Sequence, residues 1–200
     1  KYLQVDKQFL SKVPNLIVVS SSGAGYDTID VEACTDAGVL VVNQTGGNAE
    51  GVAEHAVGMI LNLFKRIGEC DHALRRGWNE PRVSLMGKDL LNKNVGIIGL
   101  GNTGGRVAEI CKVAFNCNIL AYDPYLSDEA FKKKNANKTE LDILLAESDV
   151  VSVHIPLNKE TNNMINKNWF KKMKKGSYFV TTSRGSIHNE EDLYKILIEG

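Results

Sequence analysis

Short runs of apolar residues alternate along the chain with longer stretches in which apolar positions recur every three or four residues. The first pattern predicts strands and the second predicts helices. Residues 15–20 (NLIVVS) form a β-branched run that ends in Ser21-Ser22-Gly23-Ala24-Gly25, and residues 39–43 (VLVVN) form a second that ends in Thr45-Gly46-Gly47. Between them, residues 29–37 predict a short helix with Asp30 as its cap and Gly38 just past its end. From Ala49 to about Leu74, Val52, Ala53, Ala56, Val57, Ile60, Leu61, Leu63, Phe64 and Ile67 keep helical spacing, which predicts one long helix.

A polar connection over residues 75–89 interrupts the pattern, which then restarts. Strands are predicted at 94–99, 117–123, 149–155 and 177–182, and helices at 103–114, 141–147, 167–173 and 189–200. Strands that alternate with helices imply a parallel sheet covered by helices on both faces. The strands are apolar on both sides, as such a sheet requires. The predicted fold class is therefore α/β, a doubly wound, Rossmann-like parallel sheet. The run Lys132-Lys133-Lys134-Asn135 reads as a solvated loop or helix end.

Composition narrows the picture. Lys and Arg number 24, as do Asp and Glu, so the formal net charge is zero and no overall basic field exists to gather nucleic acid or anionic lipid. A 43% hydrophobic content is too high for a disordered chain. The longest apolar stretches, such as Val95 to Leu100, fall far short of the ~20 residues that cross a bilayer. The opening KYLQVDKQFL has no apolar core behind a basic start, so a signal peptide is not expected. Both ends, Lys1 and Ile198-Glu199-Gly200, read as cut in mid-pattern. Cys34, Cys70, Cys111 and Cys117 are scattered without a CxxC pair, which points to ordinary thiols, no structural zinc and a reducing, cytoplasmic setting.

The main chemical signal is Gly99-Leu100-Gly101-Asn102-Thr103-Gly104. It follows an apolar strand and opens a helix, and Asp123 ends the next strand 19 positions after Gly104. In this pattern Gly99 permits a tight turn, Gly101 lets backbone approach a pyrophosphate, and Gly104 lets helix and strand pack closely. The helix start supplies free N–H groups and positive dipole for the phosphates. Asp123 stands where a carboxylate accepts hydrogen bonds from the adenosine ribose and repels a 2′-phosphate, favouring NAD over NADP.

With these residues in view, VGIIGLGNTGGRVAEI, AYDPY, SDVVSVHIPLNKETNNMIN and TTSRGSIHNEEDL, in that order, resemble the D-isomer-specific 2-hydroxyacid dehydrogenases, the family of phosphoglycerate dehydrogenase and hydroxypyruvate or glyoxylate reductase. SSGAGYDTIDVEACTDAGVLVVN and NAEGVAEHAVGMIL match as well, so the resemblance covers essentially the whole chain. It implies hydride transfer between NAD and a small 2-hydroxy or 2-oxo acid. Arg184 matches the arginine that binds the substrate carboxylate and 2-oxo group, and Ala24 and Gly25 match backbone that also holds the carboxylate. Asn102 and Thr103 lie on the phosphate turn, and Pro124 follows the ribose-binding Asp123. His154, Pro156 and Thr161 match positions lining the cofactor, and Thr182 and Ser183 its nicotinamide side. A formate- or phosphite-type dehydrogenase and an NAD(H)-sensing, corepressor-like protein are the alternatives on the same scaffold.

The resemblance further implies two domains: residues 1–47 as part of an incomplete, flavodoxin-like substrate domain, and 48–200 as a cofactor domain entered by the long helix. That helix is expected to help pack a homodimer. Two departures stand out. Thr181 occupies a position where the family often has Asn. His188 replaces a usually apolar residue directly before Asn189, the cap of the last helix, and reads as a surface substitution; His55 and His72 read as structural or exposed. The family's acid/base histidine and its orienting glutamate lie downstream of the arginine, the glutamate about 30 residues on by family analogy, whereas the sequence continues only 16 past Arg184. The 200 residues alone are thus expected to bind cofactor without appreciable turnover.

Overall fold

The computed structural model describes residues 3–199 and contains two parallel sheets. The smaller pairs β1 (Val18–Ser21) with β2 (Leu40–Asn43), with Val18 opposite Leu40. A one-turn helix α1 (Lys7–Leu10) and α2 (Val31–Asp36) pack on it, and Val5, Leu10, Ala33, Cys34 and Val39 form its small core. Asp30 caps α2 as predicted, accepting the Ala33 N–H at 2.9 Å. The prediction that all strands are apolar and covered on both sides fails here, because Val18, Leu40 and Val42 are exposed.

The larger sheet has the order β5-β4-β3-β6-β7, all parallel. Its strands are β3 (Asn94–Ile98), β4 (Asn118–Tyr122), β5 (Asn137–Lys138), β6 (Val150–Val153) and β7 (Tyr178–Thr181). The helices are α3 (Ala49–Lys65), α4 (Ile67–Arg75), α5 (Asn102–Phe115), α6 (Asp128–Lys133), α7 (Leu141–Glu147), α8 (Lys167–Lys172) and α9 (Glu190–Glu199). Alternation along β3 and β4 sends Val95, Ile97, Ile119 and Ala121 to one core with α3 and α5, through Ala56, Ile60, Phe64, Val107 and Ala108. Ile98 and Leu120 go to the other, with Leu144 and Leu145 of α7 and Phe170 of α8. The chain runs from β3 outward through β4 and β5, then returns to β6 on the far side of β3. That reversal makes the carboxyl end of β3 a topological switch point, where open α/β sheets form a crevice.

The long helix predicted over 49–74 is broken. Arg66 takes a left-handed conformation (φ 54°) between α3 and α4. The break is held by side chains: Asn62 Oδ1 accepts the Gly68 N–H at 2.9 Å, and the Arg66 guanidinium binds Glu69 and the Ser84 carbonyl. Apolar spacing continues across a one-residue reversal, so periodicity does not reveal it. Ile67 is consequently turned out to solvent. The helix α6 and the two-residue β5 were not predicted, because their short polar segments carry too little periodicity. Among the described residues, no helix is long and apolar enough to cross a membrane.

Candidate active site

The glycine-rich turn lies at the switch point. Gly99 has φ 86°, and a Cβ there would come within 2.8 Å of the His154 carbonyl, so the turn passes close against the end of β6. A Cβ at Gly104 would lie 2.0 Å from the Gly99 carbonyl, which fixes how closely α5 approaches β3. Gly101 differs: the space a Cβ would enter holds no atom within 4 Å. As the residue before α5 it also offers no capping side chain, leaving the first-turn N–H groups for an external acceptor. Asn102 and Thr103 form that first turn. An open backbone surface at a 14-residue helix start suits a pyrophosphate.

Asp123 follows β4 beside this turn. Its carboxylate accepts the Leu100 N–H at 3.0 Å and the Tyr125 N–H at 3.1 Å, one on each oxygen. Pro124 is exposed next to it. On the other flank, a loop leaves β6 at His154. The His154 ring is within 2.8 Å of Ser152 Oγ through Nε2 and 3.1 Å of Thr182 Oγ1 through Nδ1. Burial lowers its pKa to about 4, so the imidazole is neutral near pH 7. It ties the ends of β6 and β7 together, as does Ser183, whose hydroxyl donates to the Val153 carbonyl at 3.1 Å. In the following loop the Thr161 hydroxyl donates to the Pro156 carbonyl at 2.6 Å, and Asn158 Oδ1 accepts the N–H groups of Glu160 and Thr161. Thr161 therefore shapes this wall by bracing its own loop.

Arg184 leaves the end of β7 and meets the loop after β1. Its Nε donates to Asp27 Oδ1 at 3.1 Å, and a Cβ on Gly25 would lie 1.9 Å from its Nη2. A larger residue there would displace the guanidinium from this position. The loop is held from behind: the carbonyls of Gly23, Ala24 and Gly25 accept from Gln44 N–H (3.1 Å), Asn43 Nδ2 (2.8 Å) and Ser21 Oγ (2.7 Å). Because C=O and the following N–H point oppositely across a trans peptide, the N–H groups of Ala24, Gly25 and Tyr26 face away from those partners. A guanidinium fork beside backbone donors can hold a carboxylate and a second oxygen that gains charge. The ordering roles of Asp27, Asn43 and Ser21 were missed from sequence; an Asn closing a strand beside a glycine loop was the available signal.

A separate cleft of about 730 Å³ lies outside the phosphate turn, lined by Gly46, Asn102, Gly105, Arg106 and Lys134 among others. Arg106 is paired there with Glu50 and Glu109, so its charge is answered locally. The glycine turn, with open space at Gly101 and no side-chain cap on α5, offers its backbone N–H groups to an anion instead. Lys134, within the run expected to be a solvated loop or helix end, does follow α6 but donates to the Gly101 carbonyl at 3.2 Å, bracing the turn from behind. His188 is not a surface substitution: it is half-buried, edge-on to Phe179 at 6.0 Å, with Nδ1 buried and unpartnered. Asn189 does cap α9, accepting the Asp192 N–H at 3.0 Å.

Residues 57–200 match the family model described as D-isomer specific 2-hydroxyacid dehydrogenase, NAD binding domain. The chain is 40% identical over 197 residues to D-3-phosphoglycerate dehydrogenase of Archaeoglobus fulgidus, covering 98% of this chain and 37% of that protein. It is 38% identical over 201 residues to glyoxylate reductase of Thermofilum pendens, covering 98% of this chain and 59% of that protein. Among solved structures, D-lactate dehydrogenase from Aquifex aeolicus, complexed with NAD and lactic acid, superimposes with a TM-score of 0.90 at 34% identity, covering 98% of this chain and 59% of that one. The chain thus spans roughly two to three fifths of the length of these relatives.

Proposed function

Because the chain belongs to the D-isomer-specific 2-hydroxyacid dehydrogenases and carries their NAD-binding domain, we propose that the full-length protein interconverts a D-2-hydroxy acid and its 2-oxo acid by hydride transfer with NAD. The observation that carries this reading is the meeting of Arg184 with the Gly25 loop, on the same sheet edge as the glycine turn. Residues 1–47 serve as part of the substrate domain and 48–200 as the cofactor domain. Arg184 and the backbone of Ala24 and Gly25 bind the substrate carboxylate. The guanidinium also faces the 2-oxo oxygen, where charge changes during transfer, and stabilises it there.

On the cofactor side, Gly99, Gly101, Asn102, Thr103 and Gly104 cradle the pyrophosphate, and Asp123 with Pro124 receives the adenosine ribose. His154, Pro156 and Thr161 form one wall, and Thr182 and Ser183 the nicotinamide end. When bound, NAD supplies the hydride acceptor or donor. His154 is a poor candidate for the proton transfer that accompanies it. Its pKa of about 4 keeps it neutral, and both ring nitrogens already have hydroxyl partners. In this reading the proton passes through a group other than His154, and the segment alone turns over negligibly. The exposed Ile67, Leu74, Val83 and Met86 support a homodimer built near α4. Cytoplasmic placement fits the thiols of Cys34, Cys70, Cys111 and Cys117.

The deciding experiment assays NADH oxidation by the full-length protein against a panel of 2-oxo acids, including hydroxypyruvate, glyoxylate and pyruvate, beside its Arg184→Ala variant. Reduction of at least one acid that collapses in the variant supports the reading. NADH binding without reduction of any 2-oxo acid would overturn it.

A further inference from the structure

A hydrogen bond spans the crevice mouth. The Tyr125 hydroxyl donates to Glu160 Oε2 at 2.9 Å, joining the loop after β4 to the loop after β6. Both strands neighbour β3 and lie on opposite sides of it. With adjacent strands about 4.8 Å apart, the two loops start about 10 Å from each other. A contact between them must cross the end of β3, where the glycine turn sits. The bridge therefore spans the carboxyl end of β3, at the switch point.

Each end of the bridge is anchored. The Tyr125 N–H donates to Asp123 Oδ1, and the other Asp123 oxygen holds Leu100 of the glycine turn. The Glu160 N–H donates to Asn158 Oδ1, and Thr161 ties the same loop to Pro156. Glycine turn, Asp123, Tyr125 and Glu160 thus form a continuous chain of hydrogen bonds that ends in the braced loop beyond His154. The Glu160 contact raises the Tyr125 pKa above its ordinary value, as expected for a phenol that donates to a carboxylate. Tyr125 is 80% exposed, and an exposed pair of this kind contributes little to folding.

We propose that Tyr125 and Glu160 form a strap that closes over the adenosine end of bound NAD(H) and slows its release. This rests on the cofactor reading above, in which Asp123 holds the adenosine ribose. Tyr125 lies two residues beyond Asp123 and is joined to it through its own N–H, so in that reading its side chain belongs to the adenosine end of the crevice. Tyr125 and Glu160 are positioning residues: they hold the cofactor's far end while the reacting end is bound elsewhere. Opening the strap requires breaking one hydrogen bond, so it resists exchange without blocking it.

The test is stopped-flow measurement of NADH dissociation from the full-length protein, with KM for NADH and kcat measured alongside. Tyr125→Phe and Glu160→Ala should each speed release about three- to tenfold, the range expected for one lost hydrogen bond. The double variant should be no faster than either single variant. Glu160→Gln, which keeps an oxygen acceptor, should stay within about twofold of wild type. KM for NADH should rise while kcat is unchanged or increases, and thermal midpoints should not move. Unchanged release in Tyr125→Phe, or multiplicative effects in the double variant, would overturn the strap while leaving NAD binding intact. A wild-type protein that does not bind NADH would overturn the cofactor reading itself.

Discussion

The carboxylate of Asp123 holds the backbone N–H of Leu100 at 3.0 Å, so the acidic residue at the end of β4 is tied directly to the glycine turn of β3. One residue thereby has two separable tasks, shaping the turn and, in the proposed function, receiving the ribose. Asp123→Asn keeps an oxygen for Leu100 but removes the charge. It should weaken NADH binding about tenfold and reduce the preference over NADPH. Asp123→Ala should weaken NADH far more than NADPH and add loss of turn order. Fluorescence titration with both nucleotides measures this, and an unchanged NADH/NADPH ratio in Asp123→Ala would remove the ribose assignment.

The glycines of the turn should fail in different ways. In Gly104→Ala the new methyl meets the Gly99 carbonyl at 2.0 Å, so backbone must move. Denaturation should show a loss of about 2 kcal/mol or more, typical of overpacking. At Gly101 the corresponding space is open. Gly101→Ala should fold with near-normal stability and bind NADH poorly, because its methyl occupies the surface offered to the phosphates. Equal stability losses in the two variants would contradict this division.

His154 should make the fold sensitive to acid. Its folded pKa of about 4 lies below the unfolded value near 6.5. The unfolded chain therefore takes up a proton first as pH falls. The contribution is full above pH 6.5 and is lost between about 6.5 and 4, on the order of 3 kcal/mol in total. Replacing His154 with Gln should flatten the stability profile in that window and leave stability above pH 7 less affected by pH. Urea denaturation at intervals from pH 4 to 8 checks the slope. An ionisation near pH 6–7 assigned to His154 by NMR would contradict the buried, neutral ring.

Arg184 and Gly25 should act as one unit. Arg184→Lys loses the planar fork and should lower kcat/KM for the 2-oxo acid by about 100-fold or more in the full-length protein. Gly25→Ala pushes a methyl into the guanidinium and should reproduce most of that loss through KM. Neither change touches the phosphate turn, so NADH affinity should persist. A Gly25→Ala protein with ordinary substrate KM would show that the arginine is not held by this loop during catalysis.

Much of the cofactor region was legible in the sequence. The strands β3, β4, β6 and β7 were found within one or two residues at each end, because a buried parallel strand must be apolar on both faces. The glycine spacing was legible for a similar reason: Gly99 and Gly104 face steric demands that other residues cannot meet locally. The break at Arg66 was not, since Asn62, Glu69 and Ser84 stabilise it with polar groups that leave apolar periodicity intact. The buried position of His188 was also hidden. It depends on Phe179, which belongs to a different element and packs against it only after β7 is in place.

Local chemistry, then, determined the elements, their parallel arrangement and the glycine turn, because each follows from the periodicity or steric demand of adjacent residues. Tertiary structure decided which distant polar groups meet. Arg184 and Asp27 are 157 positions apart, and Tyr125 and Glu160 are 35 apart. Such pairs leave no trace in hydrophobic patterning, since an exposed arginine or tyrosine reads the same with or without its partner. They form because β7 and the β1 loop, and likewise β4 and β6, present their ends at one edge of the sheets. The strand order that brings them there depends on how the crossovers pack, a property of the whole chain and of no single segment.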